Sequence, residues 1–478
     1  MFKNINCKNL PSLRRNIVYQ FLYELLIVFI PLFTIPYVSR VLGAENIGLF
    51  SYTYAVANYF VLFANLGIKN YGSRTIAMVR NNKEELNRNF SEILSIHIIF
   101  SIIVIFVYLV LLFFFVEDNL VIFLIQSIYV FAAVFDINWF FFGIEKFKLT
   151  VGRNTLVKIL SVFLVLVFVK TQTDLWIYAL ILALSVFVGQ SVVWFALKQY
   201  VSWRRPSWAN MKQHIRPLFV LFLPILALSL YKYMDKIMLG SISSNVQVGF
   251  YENAEKIINV PMSLIMAFGV VLMPRIANMV TSKDKGEVFK LIDMSMEAVM
   301  LLAIAISFGL AGISFVLAPI FFGYEFEECG ILIMGLAVTV PFMAFANVIR
   351  TQYLIPYKED KIFVVSLFLG AAVNLIVNII LIPYMAARGA VIGTIFAEII
   401  VCIYQSYFVR KKIFIKKYLL NTIPPILIGI VMFVFVFQIG NVMNINIVTL
   451  ILQLLVGMFI YAVGVFLLML KSRTRLIG

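Results

Sequence analysis

Ile99 to Val116 reads IFSIIVIFVYLVLLFFFV, and runs of this kind recur almost from end to end of the chain. A helix that crosses a bilayer needs about 20 largely apolar residues. Hydrocarbon offers no water to satisfy backbone N–H and C=O groups, so a chain of such runs folds as packed membrane helices. With 63% hydrophobic and 13% charged residues among 478, little sequence is left for a domain outside the membrane. The basic start MFKNINCKNLPSLRRN leads into a long apolar segment carrying Glu24 and Arg40, unlike the short apolar region and small-residue cleavage site of a secretory signal. Cys7, Cys329 and Cys402 are widely spaced and odd in number, which gives neither a disulfide framework nor a metal-ligand pattern. No metal and no cofactor is expected.

The hydropathy pattern predicts an all-α integral membrane protein of about fourteen transmembrane helices, at 16–40, 46–69, 89–116, 119–142, 150–170, 174–198, 217–240, 246–272, 291–319, 329–353, 361–383, 388–409, 418–439 and 446–470. A net charge of +16 raises the question of nucleic acid. Its distribution answers it. With the N-terminus inside, most Lys and Arg fall in the cytoplasmic connections, whereas the external ones hold Arg40, Lys170 and Arg388 and read as acidic or neutral, as in VEDN and GYEFEEC. That asymmetry is the positive-inside rule. Both termini are then cytoplasmic, and nucleic acid is not a partner.

An internal repeat is visible when RVLGAENIGLFSY, from Arg40, is set against KIMLGSISSNVQVGFYEN, from Lys236. Each copy is a basic residue, apolar residues ending in Leu-Gly, a short external loop, then Gly-apolar-aromatic. The separation from Gly48 to Arg74 equals that from Gly249 to Arg275, and both arginines open the pattern R-x-x-x-M-V, in RTIAMV and RIANMV. Six helices separate the copies, so they share one orientation. Parallel repeats of this kind are a transporter design with the substrate site between the halves. The expected division is an N-lobe at 1–199 with helices 1–6, a cytoplasmic linker at 200–216 and a C-lobe at 217–412 with helices 7–12. Residues 413–478 form an appended pair, helices 13 and 14, and a tail.

The segments LFTIPYVSRVLGAENIGLFSYTYAVANYFVLFANLGIKNYGSR and DKIMLG…VGFYENAEKI resemble the bacterial polysaccharide repeat-unit flippases of the Wzx or RfbX type. That group is related to the lipid II flippases of the MurJ type and to the MATE multidrug exporters, and the resemblance runs over essentially the whole chain. It implies a MATE- or MurJ-like fold. It also implies transport of an undecaprenyl-pyrophosphate-linked oligosaccharide from the inner to the outer leaflet of the bacterial cytoplasmic membrane, for capsule, O-antigen or exopolysaccharide assembly. Implied partners are a polysaccharide polymerase, a chain-length regulator and a coupling ion, H+ or Na+.

Ionisable groups within spans cost roughly 2.5–3.5 kcal/mol each on insertion scales, so they face a partner or a polar cavity. Helical rise sorts them by depth. Glu24, Lys158 and Asp136 fall at an inner level, and Arg40, Lys232, Asp235, Lys236, Glu252, Glu255 and Lys256 in the outer third. Glu398 is a further intramembrane acid. Lys232, Asp235 and Lys236 stand at i, i+3 and i+4, and Glu252, Glu255 and Lys256 repeat that spacing, so each trio shares a helix face. Two facing trios can pair, and an ion-pair network is the preferred reading for Asp235 and Glu255, with Glu252 and Glu398 as further pairing or coupling candidates. Lys236 and Arg40 are close enough to the external interface to snorkel, and both, with Asp136, are further substrate-path candidates. Lys232, Lys256 and Lys158 are the leading candidates for a pyrophosphate path, because an ammonium is a point charge suited to phosphate. Tyr23 and Glu24 on the first helix and Asn58 on the second add a polar lining, beside Tyr19, Gln20, Tyr52, Tyr59 and Asn65. Pro31, Pro36, Pro224, Pro341 and Pro383 fall inside spans and predict kinks.

The chain carries no G-x-x-x-x-G-K-[ST], no H-E-x-x-H and no Cys/His cluster. His97 is expected as hydrogen-bonded core and His214 in the linker. Without a nucleotide site, energy must come from an ion gradient or from removal of product. An ion-coupled multidrug antiporter is the alternative, disfavoured because such a cavity for cationic cargo would be dominated by carboxylates. A membrane polymerase would carry a large external loop, and the sequence has none.

Overall fold

The computed structural model describes the backbone of residues 10–281 and 285–477, and the side chains of residues 33–470 except 147, 148, 231, 270 and 281–285. Among the described residues it is helical with no strand. The helices are α1 (Leu10–Asn65), α2 (Ile68–Val79), α3 (Lys83–Phe115), α4 (Leu120–Val134), α5 (Asn138–Gly143), α6 (Phe147–Phe168), α7 (Leu175–Leu197) and α8 (Trp208–Ile242). There follow α9 (Asn245–Thr281), α10 (Lys285–Phe322), α11 (Cys329–Ala337), α12 (Thr339–Ile349), α13 (Asp360–Met385), α14 (Ala387–Val409), α15 (Ile415–Val442) and α16 (Ile447–Ile477). Thirteen stretches among the described residues are long and apolar enough to cross a membrane. The first of these runs through a break in α1 at Gly43, whose φ of 77° and ψ of 171° suit a residue without Cβ. The two predicted helices at 16–40 and 46–69 are the two sides of that kink, with no loop between them.

Other boundaries also shift. The predicted helix at 119–142 is interrupted over Phe135–Ile137, and the one at 329–353 breaks at Val338, three residues before Pro341, then ends in a wider π turn at Arg350–Leu354. The seventh predicted helix, expected from residue 217, begins at Trp208, so half of the expected linker is helical. The reason is packing. Met211 and His214 lie one face apart from solvent and are buried, while the preceding coil is tied to α3 by Ser202 N–H donating to Asn87 Oδ1 at 3.0 Å and Arg204 N–H to Ser91 Oγ at 2.9 Å.

Two compact units result. One comprises the residues up to Leu42 and Phe50–Ser229, the other Gly43–Leu49 and Leu230 onward. The first unit is centred on Trp139, Phe140, Phe141, Phe90 and Ile93. Gly72 lets α2 meet the indole of Trp139, which an added Cβ would strike. In the second unit, Met432 and Val436 on α15 pack with Ile304, Ile313 and Val316 on α10 and Leu450 and Tyr461 on α16.

The second unit therefore includes seven residues from the early part of the chain. Glu325 Oε1 accepts the Ala44 N–H at 2.8 Å, and Gly48 meets Gly249 backbone to backbone. A Cβ on Gly48 would overlap the Asn245 carbonyl, and one on Gly249 the Ala44 carbonyl. Repeat-equivalent glycines are thus in mutual contact.

Within the same unit an ion cluster clips α8 to α9. Lys236 Nζ lies 2.5 Å from Glu252 Oε2 and 2.8 Å from Glu255 Oε2, and Lys256 Nζ lies 3.1 Å from Glu252 Oε1. Lys236 is 7% exposed, so it does not snorkel as expected. Two carboxylates on the neighbouring helix hold it inward.

Removing one member of a buried ion cluster leaves the others unpaired, at a cost of about 3–5 kcal/mol. Lys236→Ala is therefore expected to lower the melting temperature of the detergent-solubilised protein strongly, and Lys236→Met combined with Glu252→Gln and Glu255→Gln to recover most of it. Similar melting for Lys236→Ala and the wild type would refute the clip. Forcing a branched side chain between two backbones costs about 1–3 kcal/mol, so Gly249→Val should detach the 43–49 segment. The thiol of Ala44→Cys, buried at 0% exposure in the parent, should then react with maleimide much faster.

Candidate functional site

Asp235 sits one residue before the clip, yet its carboxylate faces elsewhere. Successive helical residues diverge by about 100°, so Asp235 turns toward α13 and α14 while Lys236 turns toward the acids of α9. Asp235 Oδ2 accepts from Tyr251 Oη at 2.6 Å and from Thr394 Oγ1 at 3.0 Å, and Oδ1 accepts from Asn378 Nδ2 at 2.5 Å. Asn378 Nδ2 also donates to Asn374 Oδ1 at 3.1 Å, and Tyr251 Oη lies 2.9 Å from Thr394 Oγ1. Asp235, Tyr251, Asn374 and Asn378 are all buried. A short link through Ala386, at φ 48°, brings α13 and α14 together, and Gly393 leaves room for the Asn378 amide.

The sequence led us to expect Asp235 in an ion pair. Among the described residues it makes none, and three neutral donors hold it. Asn378 Oδ1 is buried without a hydrogen-bond partner. The two ends of a carboxamide are interchangeable in shape, so rotating this one would offer Oδ1 beside Asp235, Asn374 Oδ1 and two hydroxyls. Such a set of hard oxygen donors suits an alkali cation, and the carboxylate alone suits a proton. Among the described residues no three His, Cys, Asp or Glu side chains converge as a transition-metal site.

The other outer residues are distributed around this cluster. Lys232 is exposed, with its ammonium 5.3 Å from the Tyr233 ring centroid, and has no ion pair among the described residues. Lys256, also expected on the substrate path, is half-buried and held by Glu252. Glu398 is buried on α14. Arg350 opens the π turn and lies over the Phe363 ring at 5.4 Å. In the first unit, Arg40 is exposed just before the Gly43 kink.

Lys158 on α6 has no ion pair among the described residues. The apolar outer face of that helix is made by Leu156, Ile159, Leu160 and Phe163, each at least half exposed. Lys158 lies roughly 200° around the helix from Leu156, on the side of Asn154 and the buried Ser161. Asn58 donates to Tyr54 O of its own helix at 2.8 Å. Tyr23 and Glu24, with Tyr19 and Gln20, lie outside the residues whose side chains are described.

Asp136 lies in the break between α4 and α5 rather than on a helix face. Its Oδ1 accepts from the backbone N–H of Asn138 at 3.0 Å and from Asn138 Nδ2 at 2.7 Å. Asn138 in turn joins Gln190 at 2.8 Å and Arg153 Nη2 at 3.0 Å. Arg153, unflagged in the sequence because it falls near a predicted helix start, also donates to Gly189 O at 2.7 Å. His97 is fully buried. His214 is not in an exposed linker: its Nε2 lies 2.9 Å from Glu92 Oε2 and its Nδ1 2.6 Å from Tyr71 Oη, and both His214 and Glu92 are buried.

Tyr251, Asn374, Asn378 and Thr394 were missed because a survey of ionisable groups passes over neutral donors. Their trace is the i, i+4 pair of asparagines in NLIVN, polar residues on one face of an apolar helix.

Comparison with known proteins adds a family to this geometry. Residues 13–280, more than half of the chain, match the polysaccharide biosynthesis protein family. Proteins named O-antigen transporter from Shigella dysenteriae and Escherichia coli are 24% and 26% identical to it, over 82% and 84% of this chain and 99% and 98% of theirs. The lipid II flippase MurJ of Bacillus subtilis is 28% identical over 43% of this chain and 41% of its own. Among solved structures, a lipid II flippase MurJ superposes with a TM-score of 0.74 at 16% identity, covering 96% of this chain and 99% of that one. An inward-facing MATE multidrug transporter superposes with a TM-score of 0.62 at 14% identity, covering 82% and 97%. The chain belongs to the polysaccharide biosynthesis protein family, and its fold is the one shared by MurJ and the MATE transporters.

Proposed function

We propose that this protein is a flippase that moves oligosaccharide repeat units, linked to undecaprenyl pyrophosphate, from the inner to the outer leaflet of a bacterial cytoplasmic membrane. Both termini are taken to be cytoplasmic. The family and the relatives named O-antigen transporter support this reading. The observation that carries it is the state of the intramembrane lysines. Lys158 and Lys232 have no carboxylate among the described residues to neutralise them, whereas Glu252 and Glu255 are paired and Asp235 is hydrogen-bonded. A cargo that delivers a pyrophosphate into about 30 Å of hydrocarbon needs uncommitted cations on its route. A cationic drug would be repelled by them, which disfavours the multidrug antiporter.

We assign the coupling ion, H+ or Na+, to Asp235 and its shell of Tyr251, Thr394, Asn374 and Asn378. The two units are proposed to act as the two lobes of an alternating-access cycle, with α15 and α16 appended to the second. A polymerase and a chain-length regulator would act on the product.

Deletion of the gene in its host is expected to trap undecaprenyl-linked units on the cytoplasmic side; their normal export would overturn the reading. A hydrogen bond to a charged group contributes about 1.5–3 kcal/mol. Lys158→Ala and Lys232→Ala should therefore each slow export roughly tenfold or more at normal protein levels, and wild-type export in both would remove them from the path. Asp235→Asn should abolish the dependence of transport in proteoliposomes on an imposed Na+ or H+ gradient. Retention of that dependence would place coupling elsewhere.

A further inference from the structure

The connection from α14 to α15 and the first residues of α15 read RKKIFIKK from Arg410 to Lys417, five basic residues within eight and no acidic one. Such loops satisfy the positive-inside rule whatever else they do, so charge alone says little. What separates this one is its surroundings. Lys417 is committed: its Nζ lies 2.8 Å from Asp293 Oδ2, and Tyr418 donates to the other oxygen of the same carboxylate. Glu297, one turn along α10, accepts from Asn421 at 2.9 Å. Lys411, Lys412 and Lys416 are exposed and make no ion pair among the described residues. Arg410 is stacked on Tyr407 at 3.9 Å, and Phe414, just before α15, is 77% exposed. Exposed aromatics beside basic groups mark the level of lipid headgroups.

Two open-sided grooves are lined from Tyr418 and Leu419 onward, the residues that follow this segment on α15. One, of about 570 Å³, lies toward α16 and is lined by Met296, Leu301, Tyr418, Pro425, Val465 and Leu468. The other, of about 430 Å³, lies toward α12 and is lined by Ile304, Phe308, Val338, Phe345, Leu419 and Phe433. Met300 and Thr422 border both, so the grooves diverge from a shared wall, and Thr422 lies six residues after Lys416 on α15. All these residues belong to the second unit.

We propose that this is a binding site for an acidic glycerophospholipid, with the phosphate between Lys411, Lys412 and Lys416 and one acyl chain in each groove. The fork is what favours a two-chained lipid over a single-chained polyprenyl phosphate. The uncommitted lysines favour an anionic headgroup over a zwitterionic one. The site is independent of which cargo the protein moves.

The test is native mass spectrometry of the full-length protein released from detergent with equimolar phosphatidylglycerol and phosphatidylethanolamine of matched chains. Preferential retention of phosphatidylglycerol is expected. Each basic residue near an anionic lipid contributes about 1 kcal/mol, so Lys411→Gln, Lys412→Gln and Lys416→Gln together should cut that preference at least about tenfold with melting unchanged. Val338→Phe, which fills a groove from its half-exposed wall, should reduce retention of both lipids. Equal retention of the two lipids by the wild type would overturn the proposal, as would an unchanged preference in the triple variant. Displacement of phosphatidylglycerol by an equal amount of polyprenyl pyrophosphate, or by inorganic phosphate, would overturn it too.

Discussion

Charge in hydrocarbon is the constraint on which the rest of this structure depends. Taking an ammonium or a carboxylate out of water costs several kcal/mol, recovered only where geometry and hydrogen bonding are good. Lys236 meets that condition with Glu252 and Glu255 at contact distance, and Lys256 balances the second oxygen of Glu252. The cluster holds α8 against α9 and so sets the azimuth of both helices. Once Lys236 is turned to α9, the preceding residue must point about 100° away. Asp235 is thereby aimed at α13 and α14, where Asn378 and Thr394 receive it. The structural clip and the candidate coupling site are consequences of one helix rotation.

The two sites differ in what they can release. An ion cluster is neutral within itself and gains nothing from a further cation. Asp235 is held by neutral donors, each of which can turn and present an oxygen instead: the Asn378 carboxamide by rotation, the Tyr251 and Thr394 hydroxyls through their lone pairs. Arrival of the proposed cation or proton would change the charge of that shell and reverse its hydrogen bonds. Because Tyr251 sits on α9, immediately before Glu252, the reversal acts on the helix that carries the clip. The proposed binding at Asp235 would therefore couple to the packing of α8 against α9 through adjacent residues rather than across the molecule.

The class of fold and most helix positions were legible because both rest on a long-range average, the hydropathy of some twenty residues at a time. What escaped was local. The Gly43 kink replaces a loop because one glycine accepts a backbone that other residues resist. The early start of α8 depends on His214 finding Glu92 and Tyr71, partners remote in sequence. Among the candidate residues, the spacing of the two trios foretold that Lys236 would have acids within reach of it. It could not foretell which member would stand apart. Trios at i, i+3 and i+4 cover an arc wide enough for Asp235 and Lys236 to have different neighbours. Lys158 was flagged by its charge, but its direction became visible only against the apolar face of Leu156, Ile159, Leu160 and Phe163.

The repeat is informative where it fails as well as where it holds. It holds at Gly48 and Gly249, which must both lack a side chain because each approaches the backbone of the other copy. A constraint of that kind acts on both copies equally and preserves both. It fails at Ser39 and Arg40, which occupy the places of Asp235 and Lys236. Arg40 is exposed where Lys236 is buried, and Ser39 carries no charge where Asp235 does. A carboxylate in that position needs a shell of donors from two further helices, and in the second unit NLIVN on α13 and Thr394 on α14 supply it. The first copy therefore shares only the shape of the turn, and the second adds to it the carboxylate that we propose as the coupling site. As the proposed coupling charge, that carboxylate confines coupling to the second copy of this turn, because Ser39 has no charge with which to compete for the same ion.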